Sequence, residues 1–258
     1  MRVVIKIGSS TLTHESGMLN IRRFSELCRV ISDVKNAGNE VILVSSGAIA
    51  MGVGKLGLSE RPRDLAGKQA AAAVGQCELM YIYDKEFSEY HHNVAQLLLT
   101  APDLKTPERH EKFSATMESL LNMRVLPIIN ENDTVSTEEI EFGDNDTLAA
   151  MVAESVGANL LILLSDIDGL YTGDPRKDST AVLIPEVHRL TDEILAMGKG
   201  AGSERGTGGM QTKLRAAKIA TSVGCDMIIA NGRDPELIYD AVEGKAVGTR
   251  FFAGGKKA

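Results

Sequence analysis

The chain has 258 residues, 43% of them hydrophobic and 24% charged, with a formal net charge of -7; that length can bury a large core as one domain or two lobes, and the make-up is that of a globular protein. The negative charge argues against a nucleic-acid partner, because such binding needs a basic face to displace counterions, so any anionic ligand must be held by local positive charge. No N-terminal segment combines a basic start, an apolar centre and a cleavage site, and no apolar run approaches the ~20 residues of a membrane span, so the expected location is the cytoplasm, away from any membrane.

Residues 2–7 are a short β-branched run ending in Gly8, Ser9 and Ser10, a buried strand that delivers Lys6 and a flexible loop to one sheet edge. Over 21–37, apolar residues recur at Ile21, Phe24, Leu27, Cys28, Ile31 and Val34, a helical stripe stopped by Gly38. Residues 40–44 repeat the first pattern, a strand followed by the small residues Ser45, Ser46, Gly47 and Ala48. The Ala-rich stretch 64–90, with Gly67 and Gly75 inside it, is expected to form more than one helical piece, closely packed. Strands are expected over 94–99 and 125–129, with a helix over 107–122 between them. An acidic excursion and a helix over 145–156 precede a strand of Leu and Ile at 159–164 and a Gly/Asp/Pro-rich loop to Asp178. An edge strand within 181–187 and a short helix opened by Thr191 come next, then a Gly-rich segment over 199–209 that is expected to be mobile. A helix over 210–223, a strand over 226–230, a helix over 235–242 and a last strand near 249–252 complete the chain.

Alternation of this kind predicts an α/β fold, a three-layer αβα sandwich around a central, mainly parallel sheet. Ligands then bind outside the carboxyl ends of the strands, where the Gly/Ser loops fall. With no Pro-rich linker and no repeat of fixed period, two lobes on one continuous sheet are expected rather than two tethered domains. Cys28, Cys77 and Cys225 are odd in number, widely separated and without CxxC spacing, so they are expected as core thiols and not as a disulfide framework or zinc site. His91 and His92 are adjacent and His14, His110 and His188 stand alone, so the histidines suggest no ligand set and no protein metal site is expected.

The stretch 130–151 carries Glu131, Asp133, Asp144 and Asp146 interleaved with Asn130, Asn132 and Asn145, between a strand and a helix. Carboxylates beside amides suit an ammonium group, a metal or both; a solvated hairpin is the other reading, since acidic residues with Gly and Asn also make ordinary turns. The run GTGGMQTK at 206–213, just before a helix, places free backbone N–H groups and Lys213 where a helix N-terminus draws an anion. It is not a Walker A sequence, because no Gly immediately precedes the Lys. The GxGxxG at Gly52, Gly54 and Gly57 fails as a dinucleotide fingerprint, because its strand ends earlier, near Val44.

Lys6 and Lys213 lie in different halves yet are both predicted at the same sheet edge, an arrangement that suits a polyphosphate. Phosphoryl transfer asks mainly for alignment and charge stabilisation, which lysines, backbone amides and Mg2+ supply. No general base stands out, and a carboxylate acceptor, with a pKa of ~4, would need none at neutral pH.

Six motifs occur in the order seen in the glutamate 5-kinases: KIGSS at 6–10, VSSGAI at 44–49, NEND at 130–133, GDND at 143–146, SDIDGLYTGDP at 165–175 and GTGGMQTK at 206–213. The chain therefore resembles that branch of the amino-acid-kinase superfamily from residue 2 to about residue 252. The resemblance implies the amino-acid-kinase fold, with a glutamate-binding lobe over about 1–157 and an ATP-binding lobe over about 158–258. It implies that Lys6 and Lys213 stabilise the transferring phosphoryl group and that Asp166 orients these lysines. Ser46, Asp133 and Asn145 would hold glutamate, with Gly47 facing its reacting carboxylate and Asp144 and Asp146 nearby. Lys6, Gly8, Ser165, Asp166, Thr207, Gly208, Gly209, Met210, Gln211, Thr212 and Lys213 would line the site for ATP, which acts with Mg2+. A homo-oligomer, dimer or tetramer, and feedback by L-proline are further implications. Many bacterial members carry a C-terminal PUA domain, and the 258-residue chain is expected to lack one.

Two other readings stand beside this one. The same fold could act on another small acid, such as aspartate or N-acetylglutamate, or on UMP, although Asp133, Asp144 and Asp146 would repel a nucleotide phosphate in the acceptor pocket. A non-catalytic amino-acid or nucleotide sensor could keep the fold, but it would have no need for both Lys6 and Lys213.

Overall fold

A computed structural model of the protein describes residues 1–14, 18–135, 145–198 and 209–254. In chain order the first half comprises β1 (Arg2–Ile7), α1 (Ser9–Leu12), α2 (Ile21–Asn36), β2 (Glu40–Ser45), α3 (Ala48–Lys55), α4 (Leu65–Ser88), β3 (Val94–Leu99), α5 (Ala101–Lys105), α6 (Pro107–Asn122), β4 (Leu126–Glu131) and α7 (Asn145–Ser155). The second half comprises β5 (Leu160–Ser165), β6 (Leu170–Tyr171), β7 (Leu183–Ile184), β8 (Glu186–Val187), α8 (Asp192–Ala196), α9 (Met210–Ser222), β9 (Asp226–Asn231), α10 (Leu237–Val242) and β10 (Thr249–Phe251).

Eight strands form one sheet in the order β3-β4-β2-β1-β5-β9-β10-β8, so β1 lies at its centre. Pairing is parallel except between β9 and β10. The chain builds outward from β1 to β3 and β4 on one side, returns over the sheet through α7, and continues with β5 on the other side. A strand order that reverses in this way opens a crevice at the carboxyl ends.

Side chains alternate along each strand, so both faces of a buried sheet become apolar. Val4, Val44, Ile129, Leu161, Leu163 and Ile229 face α6, α7 and α9, where Phe113, Leu148, Val152 and Leu214 cover them. Val3, Ile5, Leu43, Ile128, Ile162 and Ile228 face the opposite way, against Phe24, Leu27, Leu79, Tyr83 and Ile238. Lys6 follows Val4 by two positions and so enters the face covered by α7 and α9.

Some details depart from the sequence-based expectations. The stretch around 64–90 forms a single helix, α4, of 24 residues. Its Gly75 is a contact point and not a break: a Cβ there would stand 1.8 Å from the carbonyl oxygen of Ala48, and a Cβ on Gly52 would stand 1.8 Å from that of Ala71. Of the glycines in the apparent dinucleotide motif, Gly52 therefore serves the close approach of α3 to α4. The edge strand expected within 181–187 is divided, β7 pairing with β6 and β8 with β10. Ile21, counted in the apolar stripe of α2, is exposed because it opens the helix beyond the sheet, and Cys77, expected in the core, is exposed whereas Cys28 and Cys225 are buried. No helix among the described residues is long and apolar enough to cross a membrane.

Candidate active site

The carboxyl end of β1 delivers Lys6 between Val44 of β2 and Leu163 of β5. Overhead, α7 begins with Asn145 and Asp146, and the Asp146 side chain is wholly buried. One Asp146 oxygen lies 2.6 Å from Lys6 Nζ and the other 3.0 Å from Lys213 Nζ. Lys213 comes from the start of α9, where Gly209 is the N-cap, and the Thr212 hydroxyl donates to Asp146 Oδ2 at 3.1 Å. Burial would raise the pKa of Asp146, but the charges and hydrogen bonds of Lys6 and Lys213 outweigh it and hold this carboxyl below its ordinary value. Two ammonium groups share one carboxylate, so the cluster carries net positive charge at a place of low dielectric, which suits an anion. A Cβ on Gly8 would come within 3.7 Å of Lys6 Nζ, so glycine keeps open the space beside that ammonium.

Beyond this cluster a cleft of about 550 Å³, open to solvent, is lined by Ser165, Asp166, Asp174, Gly209, Met210 and Lys213, among others. The Asp166 carboxylate stands 3.2 Å from the guanidinium of Arg176. Among the described residues the carboxylate that stands between the two lysines is that of Asp146, because the first turn of α7 lies directly over the end of β1. Asp168 pins the cleft wall, accepting from Tyr171 at 2.9 Å and from Asn231 at 2.6 Å. Gln211 is exposed on the same first turn of α9.

On the other side of Asp146 lies a polar network. The Asn145 amide nitrogen is 2.9 Å from the Ser45 carbonyl oxygen, 2.8 Å from Ser46 Oγ and 2.9 Å from Asn130 Oδ1. Asn130 in turn donates to Gln76 of α4 at 2.8 Å. Tyr83, also of α4, has its hydroxyl 2.9 Å from Ser45 Oγ. Gly47 caps α3 with a φ of 103°, a left-handed conformation that glycine adopts without strain. Just past β4, burial pushes Asp133 up to about 6, the negative charge of Glu131 adding to the shift and Arg61 opposing it.

Lys6, Asp146, Thr212 and Lys213 thus come together, as do Ser46 and Asn145, while Ser165, Asp166, Gly209, Met210 and Lys213 share the cleft. Asp144, Thr207 and Gly208, together with the segments 136–144 and 199–208, lie outside the described residues. Gln76, Tyr83, Arg61 and Arg176 were not singled out by sequence. For Gln76 a signal existed: it interrupts the helical spacing of Ala72, Leu79 and Tyr83, all buried, with a buried polar side chain.

Comparison with known proteins places these motifs. The model of the amino acid kinase family matches residues 1–231. The glutamate 5-kinase of Clostridium perfringens (strain 13 / Type A) is 52% identical over 256 residues, covering 98% of this chain and 95% of that protein. That of Clostridium tetani (strain Massachusetts / E88) is 53% identical over 251 residues, covering 97% of this chain and 94% of that protein. Among solved structures, the carbamate kinase from Giardia lamblia bound to AMP-PNP superposes with a TM-score of 0.68 at 20% identity, covering 97% of this chain and 98% of that chain, a likeness of fold.

Proposed function

The chain belongs to the amino acid kinase family, and from that premise we propose that it transfers the γ-phosphoryl group of ATP to the γ-carboxylate of L-glutamate, the reaction of a glutamate 5-kinase and the first step of proline biosynthesis. The observation that carries the chemistry is the buried bridge from Lys6 through Asp146 to Lys213. In the reaction a carboxylate oxygen of glutamate attacks the γ-phosphorus and the bond to the departing ADP oxygen breaks. The acceptor is ionised at neutral pH, with a pKa of ~4, so no base is required. Charge on the moving group must be stabilised, and Lys6 and Lys213 do this from fixed positions.

Asp146 acts through the lysines, as a positioning residue. It holds both ammonium groups at one point and, with its pKa held below the ordinary carboxylate value, supplies their shared counter-charge. Ser46, Gly47, Asn145 and Asp133 form the acceptor side, and Ser165, Asp166 and the first turn of α9 form the nucleotide side. Each lobe of the sheet then owns one substrate. Magnesium travels with ATP; it prefers oxygen donors, often one or two carboxylates alongside phosphates, and Asp166 and Asp174 on the cleft wall fit that set. Held there, it would supply positive charge to offset that of the ATP phosphates.

The test is an acceptor screen with ATP and Mg2+, trapping acyl phosphate with hydroxylamine and comparing L-glutamate, L-aspartate, N-acetyl-L-glutamate and carbamate, with ADP release followed for UMP. Hydroxamate from glutamate alone is the expected result. Reaction with another acceptor overturns the substrate, and ATP binding without any reaction would point to a sensor. On the same footing the enzyme assembles as a homo-oligomer in the cytoplasm and is inhibited by L-proline. Support for assembly comes from the apolar side chains of Leu56, Leu58, Leu65 and Tyr81, exposed on and between α3 and α4. Sedimentation of the purified protein and glutamate titrations with and without proline test both points.

A further inference from the structure

We propose that Gln76 is a positioning residue for acceptor recognition: it closes the inner end of a buried chain of amide hydrogen bonds and holds Asn130 in the orientation by which Ser46 offers a hydroxyl hydrogen and Asn145 a carbonyl oxygen to an amino-acid substrate. The inference rests on the glutamate reading above and deepens it.

The direction is anchored at two backbone groups. The backbone N–H of Glu131 lies 2.9 Å from one terminal atom of the Asn130 side chain, and because an N–H only donates, that atom is Oδ1. The other terminal atom is therefore Nδ2, and its partner in Gln76, 2.8 Å away, must be the acceptor Oε1. At the far end the backbone carbonyl of Ser45 lies 2.9 Å from the Asn145 amide, and because a carbonyl only accepts, that amide atom is Nδ2. Its two hydrogens are shared among that carbonyl, Asn130 Oδ1 at 2.9 Å and Ser46 Oγ at 2.8 Å, all of which face it as acceptors. No amide in the chain can turn over without setting two donors or two acceptors face to face.

Two consequences reach the substrate. Ser46 Oγ already accepts from Asn145, which leaves the hydroxyl hydrogen to be given away. Asn145 spends its nitrogen inside the protein, which leaves Oδ1 as the acceptor on the other side of its amide. An amino acid brings carboxylates that only accept and an ammonium that only donates, so it matches this pair of offers. Asn130 is 2% exposed and Gln76 8% exposed, so bulk water does not replace a lost partner. Without the Gln76 oxygen, Asn130 either leaves a buried N–H2 unpaired and is held through its oxygen alone, or rotates, turning that group against the Glu131 N–H and taking its acceptor away from Asn145.

The experiment compares wild type, Gln76→Leu and Gln76→Glu by steady-state kinetics and by calorimetric titration with glutamate. Leucine fills similar space without an acceptor, whereas glutamic acid offers an acceptor oxygen in either protonation state. Expected for Gln76→Leu is a rise of about tenfold or more in KM and Kd for glutamate, with kcat and KM for ATP within about twofold of wild type, the signature of lost acceptor binding. Gln76→Glu is expected to stay within about threefold of wild type in all of these constants. The proposal is overturned if Gln76→Leu keeps a wild-type KM for glutamate, if KM for ATP rises in parallel, or if Gln76→Glu is damaged equally, because packing and not polarity would then be responsible. Should Gln76→Leu fail to fold, Gln76→Met, which keeps the length of the side chain and offers only a weak acceptor, is judged by the same criteria. A wild type that phosphorylates a different acceptor overturns the glutamate reading alone, and the same comparison is then made with that acceptor.

Discussion

The ammonium group of Lys6 lies 2.6 Å from the carboxylate of Asp146, a contact between the central strand and the first turn of the helix that returns over the sheet. The same carboxylate reaches Lys213 at 3.0 Å. On the proposed reading, β1, α7 and α9 hold these charges together before substrates arrive.

Replacing Asp146 with Asn removes the charge and leaves the shape. Turnover is expected to fall by roughly a hundredfold or more, the scale of losing preorganised transition-state stabilisation, with much smaller changes in KM for both substrates. Stability should fall too, by about 3 kcal/mol, because two buried ammonium groups lose their counter-charge. The sign with pH follows from the depressed pKa: the ionised Asp146 stabilises the fold above its unfolded value of 3.8, and this contribution is lost as pH falls below it. Denaturation at neutral and acid pH should show the wild type losing this increment on acidification and Asp146→Asn lacking it throughout.

Lys213→Ala should lower kcat by roughly a hundredfold or more, with a smaller effect on glutamate binding. Near wild-type turnover in single-turnover kinetics would remove Lys213 from the mechanism.

Asp133 gives the acceptor side a pH dependence. Burial raises its pKa to about 6, so near pH 5 the free enzyme holds it neutral and above pH 7 ionised. An ammonium group is best accepted by the ionised form, so KM for glutamate should rise as pH falls through about 6, while KM for ATP stays level. The stability sign is opposite to that of Asp146: the raised pKa favours the fold most at low pH, and this contribution declines as pH rises from 3.8 to about 6. Arg61 opposes the shift, so Arg61→Ala should move the KM midpoint to higher pH. Asp133→Ala should raise the glutamate requirement and abolish the midpoint; loss of ATP affinity in calorimetry would instead place Asp133 on the nucleotide side.

Gly75→Ala tests the contact between α3 and α4. The added carbon would stand 1.8 Å from the Ala48 carbonyl oxygen, a backbone atom held by its own helix, so the two helices must part. Overpacking of this kind costs about 1–3 kcal/mol or more, and thermal denaturation should show a lowered Tm. An unchanged Tm would mean that the helices yield without cost.

Much of the architecture was legible in the chain because strand and helix periodicities are written by neighbours a few residues apart. Val3, Val4 and Ile5 mark a strand buried on both faces, and Phe24, Leu27, Ile31 and Val34 mark the inward stripe of α2. Thr191 was legible as a helix start for the same local reason, and its hydroxyl accepts from the backbone of Ile194. The glycines of α4 misled, because a glycine that breaks a helix and one that admits a neighbouring backbone look alike until the neighbour is known.

By itself, the sequence determined the alternation of strands and helices, the placing of Lys6 after the first strand and Lys213 beside the start of a helix, and the acidic stretch that opens α7. Only the tertiary structure decided that Asp146 and not Asp166 stands between the lysines, that Gln76 reaches Asn130, and that Arg61 opposes the shift of Asp133. The physical reason is one of range: propensity and periodicity act within a turn or two of chain, whereas the partner of a charge or an amide depends on how helices far apart in sequence are seated and rotated over the sheet.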